Sequence, residues 1–68
     1  MNKMLVKTIM DKQEGRKWEI YKKSDNEYFY EYYEFFKQVG WRLTGREGDH
    51  INGYLTRDVI EWEFDIKL

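Results

Sequence analysis

The chain has no cysteine, no proline, a single histidine and a single serine in 68 residues. Each shortage removes something. Without cysteine there is no disulfide. With His50 as the sole imidazole, a structural zinc site is excluded too, because such sites take four Cys/His ligands at set spacings. Missing proline takes away one common blocker of edge strands. No uncharged apolar run approaches the roughly 20 residues of a membrane span. The opening MNKMLVKTIM is broken by Lys3 and Lys7, so it is too short for the apolar part of a secretion signal. We therefore expect no membrane partner and take the cytoplasm as the default location. The net charge of −1 gives no overall attraction to nucleic acid.

Length adds a constraint. Residues 1–68 make one small domain. A chain this short buries only about 60% of its unfolded surface, so its stability is marginal. With disulfides and zinc removed, aromatic mass and self-association are the remaining supports.

Rings are what the chain has in quantity: aromatic residues make up 19% of it. They concentrate in Glu27 to Trp41, which holds Tyr28, Phe29, Tyr30, Tyr32, Tyr33, Phe35, Phe36 and Trp41. Each ring can bury roughly 150–250 Å², so the core must be built on this segment. Charge is uneven. Residues 1–24 carry seven Lys/Arg against three Asp/Glu, and residues 25–36 carry four acids and no base. Residues 58–68 carry four acids against Lys67. Complementarity between neighbouring strands accounts for this pattern.

Along the chain, residues 3–11 alternate imperfectly and 16–23 alternate well, with Trp18, Ile20 and Lys22 on one face and Lys17, Glu19, Tyr21 and Lys23 on the other. Gly15 lies between them, so the spacing predicts an antiparallel hairpin. Two readings compete for the aromatic segment. Ser24 and Glu27 have the capping-box spacing, and Phe29, Tyr32, Tyr33, Phe36 and Val39 follow helical periodicity up to Gly40. Composition favours a strand after an Asp25-Asn26 turn, but a strand puts Glu31 and Glu34 on opposite faces amid rings. Period outranks composition here, and we expect a helix over about 27–39.

Residues 41–45 return to alternation, and Gly45-Arg46-Glu47-Gly48 reads as a loop. Asn52-Gly53 is a strong hairpin signal for 49–56. Thr56 is placed to cap a helical turn through Val59, with Asp58 near its positive end. From Ile60 the tail alternates Ile60, Trp62, Phe64, Ile66 and Leu68 against Glu61, Glu63, Asp65 and Lys67, a strand over 60–67. The expected fold is α+β: an antiparallel sheet of 3–11, 16–23, 41–45 and 60–67 with one helix packed on it. An all-β meander is the alternative.

The chemistry-bearing residues are few. His50 beside Asp49 is the one candidate general base, and its loop position suits a solvated histidine. Ser24 has no second histidine for a relay. Glu61 and Glu63 share one strand face in this reading, not the two walls of a cleft. The Gly-x-x-Gly of 45–48 lacks the ending of a phosphate-binding P-loop. We expect no catalytic residue, metal or cofactor, and hence no enzyme.

Two function classes remain. The first is a small interaction or regulatory module that self-associates or binds a protein partner. Its candidate surface is an aromatic strip of Tyr28, Tyr30 and Phe35 left off the buried face of the helix. The second is single-stranded nucleic-acid binding by the basic, aromatic hairpin through Arg16, Lys17, Trp18, Tyr21, Lys22 and Lys23.

Overall fold

A computed structural model describes residues 3–49, 51 and 53–68. The first hairpin forms where alternation and Gly15 place it. Strand β1 is Met4–Asp11 and β2 is Arg16–Ser24. The aromatic segment is a strand as well, β3, Glu27–Phe36. It is followed by β4, Gly40–Glu47, and, as the one helix among the described residues, α1, Arg57–Phe64. The four strands form an antiparallel meander in the order β1-β2-β3-β4. The α+β class therefore holds, but two elements exchange their expected identities.

The first correction is that 27–39 is not a helix. Asp25-Asn26 makes a tight turn, with Asn26 at φ 58°. Ser24 and Glu27 do interact, the serine hydroxyl donating to the Glu27 carboxylate, but across this turn and not at a helix start. The two acids that argued against a strand are each answered by a neighbour. Glu34 lies between Arg16 on β2 and Arg42 on β4. Glu31 accepts two hydrogen bonds from Arg46 and one from Tyr33. Cross-strand partners, invisible to periodicity within one segment, decided the outcome.

The second correction is that 60–67 is not a strand. Thr56 caps α1, its Oγ1 accepting from the Val59 backbone N–H at 3.3 Å, and Asp58 occupies the first turn. The expected cap is therefore present, on a helix that continues to Phe64. Asp65 ends it in a left-handed conformation, φ 56°. Any alternating run contains i, i+4 pairs. Ile60 and Phe64 are such a pair and face the sheet, while Trp62 between them is 83% exposed.

A third correction concerns Gly45-Arg46-Glu47-Gly48: all but Gly48 belong to β4, paired with Tyr32, Glu31 and Tyr30. Within 49–56 the backbone N–H of Gly53 donates to the Asp49 carbonyl, closing a short loop. Leu55 then pairs with Tyr28 through two 2.8 Å bonds, extending the β4 edge. His50 and Asn52 lie outside the described residues.

Register sorts the side chains into two faces. The helix-covered face carries Ile9, Trp18, Ile20, Tyr28, Tyr30 and Tyr32. Ile20, Tyr28, Tyr30 and Ile60 form the buried cluster, with Phe64, Ile66 and Leu68 packed against it. Phe64 meets the rings of Tyr30 and Trp18 edge-on at 5.0 and 6.2 Å. Asn26 accepts the Arg57 backbone N–H at 2.8 Å, so the β2–β3 turn also anchors the start of α1.

Candidate functional site

One two-turn helix covers part of one face of a four-stranded sheet. Among the described residues no helix or strand covers the opposite face; Tyr54 and Lys3 reach across one end, against Phe29 and Tyr21. Its side chains form rows running across the strands. Leu5, Tyr21 and Phe29 make the first row, with the two rings stacked at 5.1 Å. Thr8, Glu19, Glu31 and Arg46 make the second. Met10, Lys17, Tyr33 and Leu43 make the third. Phe35 and Trp41 close the face with an edge-on ring pair at 5.4 Å.

A charged row therefore lies between apolar ones, and its charges are tied down. Tyr21 donates to Glu19 and Tyr33 donates to Glu31, both at 2.8 Å. Lys17 Nζ sits 3.3 Å from Glu19 and 5.0 Å from the ring centres of both Tyr33 and Trp41. Arg46 reaches Glu31 at 2.8 Å. Burial opposes ionisation of Glu31, but the bonds from Tyr33 and Arg46 outweigh it and hold the carboxyl below its usual range. Burial, followed by the bond to Glu19, pushes the Tyr21 phenol up to about 12. Burial and Glu31 push Tyr33 up likewise.

What stands proud of this row is apolar. Leu5, Met10, Phe35 and Leu43 are each 44–50% exposed and share this face. Sequence reasoning missed Leu5, Met10 and Leu43 as surface residues. The signal was present in the imperfect alternation of 3–11. A bulge between Leu5 and Lys7 flips the pattern, placing Leu5 with Thr8 and Met10 on one face and Lys7 with Ile9 on the other.

The expected aromatic strip does not assemble. Tyr28 and Tyr30 are 2% and 9% exposed beneath the helix, whereas Phe35 lies on the other face. The cause is the strand identity of the segment, which sends alternate residues to opposite sides. The nucleic-acid set is divided the same way. Arg16, Trp18 and Lys22 lie on the helix side, Lys17 and Tyr21 on the uncovered side, and Lys23 at the bulge beside Ser24. Glu61 and Glu63 are separately engaged, Glu61 by the Leu68 backbone N–H and Glu63 by the Tyr30 hydroxyl, each at 2.8 Å. Among the described residues no group of three or more His, Cys, Asp or Glu is arranged to hold a metal ion, and no helix is long and apolar enough to cross a membrane.

No protein-family model, curated protein or solved structure matches this chain.

Proposed function

We propose that the protein is a small non-catalytic interaction module that self-associates through the uncovered face of its sheet. The observation that carries this reading is that half-exposed Leu5, Met10, Phe35 and Leu43 are all spread over the side of the sheet away from α1. Total area points the same way. A compact monomer of 8.5 kDa exposes about 4,650 Å², whereas this chain exposes 5195 Å².

Both sheet edges are poorer candidates for association. β1 is bulged between Leu5 and Lys7, and β4 is bulged opposite Tyr32 and Tyr33. Bulges blunt the row of free backbone groups that edge pairing needs. The face remains. Four strands about 4.8 Å apart with eight residues at about 3.3 Å rise give a flat area of about 500 Å² per copy. That is the low end of specific interfaces, which bury about 800 Å² of accessible surface per partner. The expected dimer is therefore weak, and aligned sheet-on-sheet packing is its natural geometry.

Single-stranded nucleic acid, the second reading, has less in its favour. The hairpin set is split between faces, and Lys3 and Lys17 already stand over the rings of Tyr21, Tyr33 and Trp41 that bases would stack on. Amide NMR over a dilution series tests the proposal. Concentration-dependent shifts are expected at Leu5, Met10 and Leu43 and not at Ile60. Shifts that appear only on adding a single-stranded oligonucleotide would replace this reading with the second one.

A further inference from the structure

The helix side of the sheet holds a feature unrelated to the uncovered face. At the corner where β1, β2, the start of α1 and the chain's last residues meet, a concavity of about 270 Å³ is lined by Lys7, Lys22, Arg57 and Lys67. Among the described residues no acidic side chain lines it. We propose that it is a binding site for a dianionic phosphoryl group.

Four parts of the chain bring these cations together: β1, β2, α1 and the segment after it. Lys7 and Lys22 come from adjacent strands on the helix-covered side, opposite Ile20 and Tyr28 respectively. Arg57 opens α1, and its Nε donates to the Tyr28 hydroxyl at 3.3 Å. Tyr28 is 2% exposed, so its phenol is a fixed post that steers the guanidinium into the site. Lys67 arrives on the segment that folds back after the helix, held by the Leu68 N–H bond to Glu61.

Their charge is under-compensated. Among the described residues neither Lys7 nor Lys67 has an ion-pair partner, and Lys22 has only the fully exposed Asp25 at 3.7 Å. Asp58 and Glu61 lie near Arg57 and offset part of its charge, but neither lines the concavity. The charge that no described carboxylate answers is that of Lys7 and Lys67. Like charges gathered in one hollow repel, and a bound anion relieves that repulsion. Arg and Lys together match the multiple acceptor oxygens of a phosphoryl group, and its double charge uses more of the excess than a single carboxylate does. Met4 and Val6 form an apolar wall that would accept the organic part of a monoester.

The test is titration of the protein with inorganic phosphate and, separately, phenyl phosphate, read by amide NMR at matched ionic strength against chloride. Saturable shifts at Lys7, Lys22, Arg57 and Lys67 are expected. Phenyl phosphate binding should tighten from pH 5.5 to 7.5 as its second proton, with a pKa of about 6 for a phosphate monoester, is lost. Lys7→Gln with Lys67→Gln, both at the rim, should weaken it about tenfold or more. The same double variant should melt higher than wild type without phosphate, because repulsion is relieved. Tighter binding of phenyl phosphate assigns the site to monoesters, and equal binding assigns it to free phosphate. No response beyond chloride, or an undiminished response in the double variant, overturns the site.

Discussion

Glu19 and Glu31 face each other directly across the β2–β3 ladder. Two like charges at such a position destabilise a sheet unless neighbours answer them. Here each carboxylate receives a tyrosine hydroxyl and a cation: Tyr21 and Lys17 for Glu19, Tyr33 and Arg46 for Glu31. The asymmetry is in burial, since Glu31 is the buried charged side chain of the pair. Glu31→Gln should therefore cost about 1–3 kcal/mol, because it leaves buried donors poorly matched. Glu19→Gln should cost less, since it removes the facing charge. Urea denaturation of both variants decides this; equal losses would contradict the assigned asymmetry.

The same network sets the pH response. The Glu31 carboxyl is held below the usual carboxylate range, so its contribution is present above that range and lost as pH falls through and below it. Tyr21 is raised from 10.0 to about 12. Its contribution is complete below pH 10 and disappears as pH rises towards 12. Thermal midpoints measured from pH 2 to 12 should decline in both windows. An alkaline decline that begins well below pH 10 would point to other groups.

Helix α1 is tested by two residues that an unbroken strand would treat alike. Ile60 is fully buried and Trp62 is 83% exposed. Ile60→Ala should cost about 2–4 kcal/mol, and Trp62→Ala should stay within about 0.5 kcal/mol. Comparable losses at both positions would restore the strand over 60–67.

Gly48 is where the chain leaves β4 and passes under Leu55. Its φ is +79°, and an added Cβ would lie 2.9 Å from Leu55 Cγ and 3.0 Å from the Tyr28 carbonyl oxygen. Gly48→Ala should cost roughly 1–3 kcal/mol through strain and displacement of that pairing. Gly45, with nothing within 4 Å of its Cβ position, is the control. Its alanine variant should be close to neutral, and a loss matching that at Gly48 would refute the role given to Gly48.

Much of the fold is legible in the chain itself. Alternation with Gly15 gave the first hairpin, and Thr56 gave the helix start. The two misassigned segments share one cause. Within 27–39 helical spacing and ring composition disagreed, and the arbiters were Arg46, Arg16 and Arg42, far away in sequence. Within 60–67 an alternating run concealed the Ile60–Phe64 pair, and only the tertiary position of Trp62 tells the two readings apart. The candidate site suffered from the same limit. Once the ring segment is a strand, Tyr28 and Tyr30 go beneath the helix and Phe35 goes to the open side. The bulge after Leu5, which brings Leu5 and Met10 to one face, is only hinted at by broken alternation.

Sedimentation equilibrium from about 10 µM to about 1 mM, the range in which an interface of this size associates, tests the central proposal most directly. Wild type should rise from 8.5 kDa towards about 17 kDa, twice its mass. Met10→Glu with Leu43→Glu should remain at 8.5 kDa with an unchanged thermal midpoint. A wild-type chain that stays monomeric to the top of that range, or a double variant that dimerises equally well, would contradict the account.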